Sequence, residues 1–345
     1  MKLKYNGKRL AFTVTLALTA LAPLSATAQI RGAGATFPAP IYAKWFADYK
    51  NQTGKSVDYQ AVGSGQGYKA IKEKSVDFGA SDAPLSAAEE AAMPGPVVHI
   101  PTVGGAVVLS YNLPGVPSGI QFTAEIISDI FLGKVKTWGD PRIRAINPGK
   151  NLPDVPIQPV HRTDGSGTTY IFTNYLKKAN SDWAAGPGAG KSVNWPVGLG
   201  GKGNQGVEAV VKRTPGAVGY VELAYAITQK MPYGNVKNHA GKFIEPTVAS
   251  TNAAINAYAA ELARNIKTPT VDARGADSYP ICSVTYIIFY RNPGPKNGDV
   301  TALWSWAMSP KVQEEAKTLY YAPLPASIVK INLATMKAIP GSVVK

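Results

Sequence analysis

The stretch Ser56-Val57-Asp58-Tyr59-Gln60-Ala61-Val62, the turn Gly63-Ser64-Gly65-Gln66, the run Gly67-Tyr68-Lys69-Ala70-Ile71-Lys72-Glu73-Lys74 and then Val76-Asp77-Phe78-Gly79-Ala80 together carry the fold class. The first piece, Ser56–Val62, is rich in β-branched and aromatic residues and reads as a strand. The glycine-rich turn ends it. Gly67–Lys74 places Tyr68 and Ile71 on one face of a helix, and Val76–Ala80 is again strand-like. Strand, helix and strand in so short a space are the unit of an α/β protein with mainly parallel sheets.

The alternation continues along the chain. Helices are expected over Ala39–Tyr49, Ala124–Phe131, Thr168–Lys177, Gln205–Lys212, Ala253–Asn265, Val300–Met308 and Lys311–Leu319. Two apolar runs, Gly104–Tyr111 and Val284–Tyr290, have the length of strands and no helical period. A block of about 170 residues lies between them, by the strand-length reasoning that sets them apart. This predicts a discontinuous first lobe, residues 29–110 plus 280–345, a second lobe, residues 111–279, and two strands passing between them as a hinge. Proline- and glycine-rich pieces such as Pro94-Gly95-Pro96 and Arg291-Asn292-Pro293-Gly294-Pro295 are turns.

Lys2, Lys4, Lys8 and Arg9 precede an apolar run, Leu10–Leu24, that ends at Ala26-Thr27-Ala28. That is the pattern of a secretory signal peptide with cleavage at Ala28. Thr13, Thr15, Thr19 and Pro23 interrupt the run too often for a membrane span. The remaining 317 residues exceed what one hydrophobic core usually serves, in keeping with two lobes. Cys282 is the only cysteine, so no disulfide is expected, and its apolar surroundings predict a buried, inert thiol. The formal charge of +14 becomes +10 without residues 1–28, which hold four basic and no acidic side chains. Such a field attracts small anions. The basic residues are scattered, without the runs or aromatic-interleaved stripes of nucleic-acid binders.

Four polar segments could carry chemistry. In Gly32-Ala33-Gly34-Ala35-Thr36-Phe37-Pro38 small residues allow a sharp turn, and Pro38 and Pro40 suit the first turn of a helix. Thr36 and the Phe37 amide then stand at a helix N-terminus. Ser64 is expected in the same position relative to the next helix. In Arg162-Thr163-Asp164-Gly165-Ser166-Gly167-Thr168, the residues Ser166, Gly167 and Thr168 open a helix faced by Ile171, Phe172, Tyr175 and Leu176. Helix starts present free amide hydrogens and partial positive charge, so three aimed at one point would bind an anion. Arg162 adds a planar fork that matches oxyanions. The plainer readings are N-caps, an ordinary loop and a surface ion pair between Arg162 and Asp164. The fourth segment, Gly79-Ala80-Ser81-Asp82-Ala83-Pro84, ends a strand with a carboxylate that either caps a turn or faces the site. Ser86 and Glu89 resemble a capping box.

Other motifs carry less. Gly198-Leu199-Gly200-Gly201-Lys202-Gly203 matches G-x-G-x-x-G, but no β-rich run leads into it and no ribose-binding acid follows, so a tight loop is expected. His99, His161 and His239 have no metal-ligand spacing, so neither metal nor cofactor is expected. No G-x-S-x-G elbow occurs, and spacing alone gives a Ser166–His161–Asp82 triad no geometry.

Gly32–Pro40, Gly79–Ser86 and Asp164–Thr168 resemble the signature segments of the periplasmic phosphate-binding proteins of high-affinity phosphate ABC transporters. The resemblance continues through Ile130–Lys134, Trp195–Asn204, Pro215–Glu222 and Tyr321–Pro325. It implies a two-lobed periplasmic binding protein of type II-like α/β fold, each lobe a mixed sheet flanked by helices. It also implies a periplasmic monomer without catalytic activity that delivers inorganic phosphate to permease subunits in the inner membrane. Residue by residue it assigns Thr36, Phe37, Ser64, Ser166, Gly167 and Thr168 as donors. Arg162 is the charged donor, Asp164 its orienting partner, and Asp82 the acceptor of a phosphate proton. Gly65 stands where some members carry a second serine, and His161 where another arginine can occur. Phosphate keeps a proton at neutral pH and sulfate does not, so one carboxylate converts a general oxyanion site into a phosphate site. A receptor for sulfate or molybdate and a secreted phosphatase are the alternatives. The phosphatase lacks a general base beside its hydroxyls.

Overall fold

The computed structural model describes residues 1, 2, 4, 29–292, 294 and 296–344. The expected signal peptide and its cleavage point at Ala28 fall almost wholly outside them. Among the described residues no helix is long and apolar enough to cross a membrane.

Eleven strands follow in chain order: β1 Ile30–Gly34, β2 Val57–Ala61, β3 Phe78–Ser81, β4 Val97–Tyr111, β5 Gln121–Phe122, β6 Gln158–Arg162, β7 Leu199–Gly201, β8 Ala217–Glu222, β9 Asn235–Lys237, β10 Phe243–Ile244 and β11 Cys282–Tyr290. Eight form one sheet in the order β2-β1-β3-β11-β4-β8-β6-β7, and β10-β9-β5 form a small second sheet. Two parallel wings, β2-β1-β3 and β8-β6-β7, are joined by the antiparallel pairs β3/β11, β11/β4 and β4/β8. The sheet is therefore mixed rather than mainly parallel. Parallel neighbours need a crossover connection, which suits the local strand–helix–strand units. β11 comes in sequence after β5 to β10 and enters antiparallel to both its neighbours.

The chain is thus the expected two-lobed α/β protein. β4 links the two wings: Val97 to Ala106 pair with β11, and Val107 to Tyr111 pair with β8. Val98 to Tyr111 are all buried, as are Cys282 to Phe289. Strands covered on both faces need no polar alternation, which is why these two runs read as uninterrupted apolar sequence. Cys282 is wholly buried, and burial pushes its thiol up, away from the reactive thiolate.

Each wing has its own aromatic centre. Tyr42 lies 5.1 Å from Trp304, and Phe46 and Phe78 pack edge-on to the same indole, so N- and C-terminal segments share one core. In the other wing Phe172 stacks on Tyr220 at 4.4 Å, with Phe131 and Trp195 beside them.

The helix Ala124–Phe131 has its expected bounds and is capped by Thr123. Elsewhere the structure corrects the bounds. The first glycine-rich turn starts its helix at Ser64, giving Ser64–Lys72. The single helix expected over Ala253–Asn265 is two, Val248–Ala257 and Ala259–Arg264, broken at Tyr258. The one expected over Lys311–Leu319 is Pro310–Glu315 followed by the 3-10 turn Ala316–Leu319.

Candidate functional site

All four polar segments sit at strand ends where the two wings face each other. Thr36 and Phe37 follow β1 and lead into the helix Ala39–Thr53. Ser64 does not share Thr36's position. It is the first residue of its helix, whereas Thr36 stands three residues ahead of Ala39. Gly63, the cap, has φ 98°, and a Cβ there would lie 2.2 Å from Asp164 Oδ2, so only glycine permits both the turn and the approach of the opposite loop. Asp82 directly follows β3. Arg162 ends β6, and Ser166 caps the helix Gly167–Ala179, its Oγ accepting from the Thr169 amide at 3.0 Å.

The segments meet. Gly167 N donates to Ser64 Oγ at 3.0 Å, and Gly65 N to Gly165 O at 2.8 Å. A Cβ on Gly167 would stand 2.4 Å from Asp82 Oδ2. Thr36, Ser64, Asp82, Ser166 and Thr168 are at most 1% exposed, and Arg162 is 4% exposed.

Two charges of opposite sign share this buried space. Arg162 grips Asp164 with Nε to Oδ1 at 2.7 Å and Nη2 to Oδ2 at 2.5 Å, and Nη1 reaches Thr168 Oγ1 at 3.3 Å. Two of its five N–H donors stay free. Burial works upward on Asp164, but the hydrogen bonds and charge of Arg162, with a bond from Gly203 N, hold its carboxyl below the ordinary value. Asp82 goes the other way. Burial raises it from 3.8 to about 7, against the opposing hydrogen bond of Thr285 and the charge of Arg162.

The hydroxyls have a common state. Thr36 Oγ1 accepts from Asn204 N at 3.1 Å and Asn204 Nδ2 at 2.9 Å. Thr168 Oγ1 accepts from Arg162 Nη1 and, at 3.1 Å, from Asn204 Nδ2. Ser64 Oγ accepts from Gly167 N and, at 3.3 Å, from Asp82 N. A hydroxyl offers two acceptor positions and one proton. With the acceptor positions filled, each presents its proton. The Thr36 carbonyl is taken by Tyr225 Oη at 2.6 Å, which turns the Phe37 amide of the same trans peptide the opposite way. The one acceptor among these donors is the Asp82 carboxylate.

Three contributors were not visible in the sequence. Asn204 ties hydroxyls of both wings together, and its Oδ1 accepts from Glu222 N at 2.9 Å. It lies just beyond the glycine run set aside as a tight loop. In the structure Leu199–Gly201 is the edge strand β7 and Gly203 opens the helix Gly203–Arg213. The same design of small residues before a helix was the signal available. Thr285, on β11, donates to Asp82 Oδ1 at 2.7 Å. Lys191 pairs with Glu89 across the cleft, lies 5.4 Å over the Tyr68 ring, and accepts from Ser166 N through its carbonyl at 2.8 Å. Glu89 also completes the expected capping box with Ser86.

No triad is assembled. His161 stacks on Trp195 at 5.0 Å with Nδ1 near its neighbour's carbonyl, and Ser166 Oγ caps its helix. Among the described residues no group of three or more metal-ligating side chains is found.

Residues 22–311 match the PBP superfamily domain. The chain is 40% identical over 306 residues to the phosphate-binding protein PstS of Pasteurella multocida, covering 87% of this chain and 88% of that one. It is 40% identical over 310 residues to the phosphate-binding protein PstS of Haemophilus influenzae, covering 89% and 92%. Among solved structures it resembles a high-affinity periplasmic phosphate-binding protein, PfluDING, bound with phosphate at pH 8.5. That match has a TM-score of 0.74 and 22% identity, covers 91% of this chain and 99% of the other, and speaks for the fold.

Proposed function

We infer the function from one premise: this chain belongs to the PstS family of phosphate-binding proteins, within the PBP superfamily. It binds inorganic phosphate and delivers it to an ABC-type phosphate importer. The observation that carries this is the set of hydroxyls whose acceptor positions are filled by N–H groups, so that they present protons around a single carboxylate. Such a site fits a tetrahedral oxyanion that has one proton of its own to give.

In this reading Thr36, Phe37, Ser64, Ser166, Gly167 and Thr168 donate to phosphate oxygens, and Arg162 supplies the charge. Asp164 holds the guanidinium in plane, and Asp82 takes the phosphate proton. Residues 29–110 and 280–345 form one lobe, 111–279 the other, and the anion lies between them. The protein acts as a periplasmic monomer, released by cleavage near Ala28, that hands its cargo to the importer's permease subunits. Nothing in this role requires a reaction. Calorimetry with phosphate, sulfate and molybdate tests it. A single tight phosphate site with much weaker sulfate and molybdate is expected; equal affinities, or no binding of phosphate, would overturn it.

Lys191 bears on release. Its pairing with Glu89 is partly buried, with both side chains about one-fifth exposed, and its ammonium also faces the Tyr68 ring. Together these are worth about 1 kcal/mol. Lys191→Met is therefore expected to speed phosphate dissociation about five-fold with little change in association, as read by stopped-flow fluorescence. An unchanged dissociation rate would show that the pair does not hold the lobes.

A further inference from the structure

Thr285 lies in β11, is wholly buried, and has no part in the donor loops. It stands where the register of β11 against β4 shifts, between Thr285 and Tyr286. Its hydroxyl donates to Asp82 Oδ1 at 2.7 Å. Asp82 Oδ2 faces Gly167, at the start of the helix that supplies the donors. The two oxygens of one carboxylate are thereby given different neighbours.

We propose that Thr285 is a specificity-determining positioning residue: by occupying Oδ1 it turns Oδ2 to the ligand as a bare acceptor, which suits a protonated tetrahedral oxyanion and repels a fully deprotonated one. The proposal rests on reading Asp82 as the ligand's acceptor. A hydrogen bond donated to the charged form of an acid favours that form. Burial drives Asp82 up to about 7, and the Thr285 hydroxyl is the foremost effect opposing it. The charge of Arg162 works with Thr285, and that of Asp164 against it. Tyr42, Tyr59, Glu222, Tyr225 and Tyr321 face Asp82 from the surrounding elements, and burial foremost, with the Asp82 charge added, pushes all five upward. Asp82, raised to about 7, titrates near neutrality. Its neutral form donates a hydrogen bond to sulfate, and its charged form repels it.

The test titrates the whole protein, its Thr285→Val variant and its Thr285→Ser variant with phosphate and with sulfate between about pH 5.5 and 9, a range chosen around the Asp82 value. Sulfate does not ionise there, so its profile reports the protein alone. Wild-type sulfate affinity is expected to rise as pH falls through the Asp82 value of about 7. In Thr285→Val that midpoint moves up by about one pH unit, and the phosphate-to-sulfate ratio at pH 8 falls about tenfold. Thr285→Ser restores both. Equal weakening of both anions with an unmoved midpoint would mark Thr285 as merely structural and overturn the proposal. So would a Thr285→Val profile identical to wild type. Should valine not be accommodated, Thr285→Ala with the Asp82 carboxyl followed by carbon NMR decides the same question: an unmoved titration overturns it. Absence of phosphate binding in the wild type would instead defeat the function proposed above. Wild-type preference for phosphate together with an unchanged variant ratio defeats only this inference.

Discussion

Asp82→Asn is expected to cost the protein its discrimination while making it more stable without ligand. At pH 8 the wild-type carboxylate accepts the phosphate proton but meets a bare oxygen on sulfate. A buried mismatch of that kind is worth about 2–5 kcal/mol, or about 30- to 5,000-fold in relative affinity. An amide can turn either its oxygen or its nitrogen to the ligand, so in the variant sulfate gains and the ratio falls by a factor in that range. Competition calorimetry measures it, and an unchanged ratio would remove Asp82 from the recognition step. The stability effect has the opposite sign. The unfolded carboxyl ionises near its ordinary value of 3.8, the folded one near 7. Below both values the group is neutral in both states and contributes nothing. As pH rises between them the unfolded state sheds its proton first, so stability falls, and above pH 7 the full cost is about 4 kcal/mol at 1.36 kcal/mol per pH unit. Asparagine does not carry that cost. Phosphate-free urea unfolding should therefore find the variant equal to wild type near pH 3.5 and more stable at pH 8; equality at pH 8 would refute the buried charge.

Arg162→Met is expected to lose both the ligand and part of the fold. The guanidinium is buried, and removing one member of a buried, hydrogen-bonded charge pair costs about 2–5 kcal/mol in binding, or about 30- to 5,000-fold. It also leaves Asp164, 9% exposed at its side chain, without its cation, which lowers stability by about 3–5 kcal/mol. Adding Asp164→Asn separates the two, because the double variant recovers much of the stability and none of the affinity. In the wild type the Arg162–Asp164 pair has its own pH signature. Asp164 is held below its ordinary value, so its stabilisation is fully present above about pH 4 and is lost as pH falls through the lower folded value. Arg162→Met should flatten that acid limb. Phosphate affinity within a few-fold of wild type would mean that Arg162 serves only to hold Asp164.

Much of the local structure was legible because its causes are local. The helix Ala124–Phe131 kept its expected bounds, and Ser86 with Glu89 forms the expected capping box through partners three residues apart that spacing alone identifies. The continuous burial of Gly104–Tyr111 and Val284–Phe289 is what their lack of a polar period reflects. The failures were of two kinds. Ser64 was placed before its helix because Gly65 and Gly67 count against helix by propensity, yet a Cβ on Gly65 would press against Gly165 at 3.1 Å and one on Gly67 would stand 2.6 Å from Ala80 O, so packing selects glycine there and the helix starts earlier. Asn204, Thr285 and Lys191 were missed because their partners are remote: Asn204 is 168 residues from Thr36, and Thr285 is 203 from Asp82.

By itself the sequence determined which groups this protein can bring to an anion: threonine and serine hydroxyls and glycine amides at the starts of helices, one arginine, and one carboxylate after a strand. Those are properties of residue type and of spacing within a single turn. Only the tertiary structure decided what each group presents. A hydroxyl rotates freely until its acceptor positions are filled; Asn204 and Gly167 reach those of Thr36 and Ser64 from the opposite wing, and Arg162 with Asn204 fills those of Thr168. A carboxyl keeps its ordinary acidity until water is excluded, and the closing of β3 against β11 both buries Asp82 and supplies Thr285. Orientation and acidity are set by neighbours, and here the neighbours come from the far side of the fold.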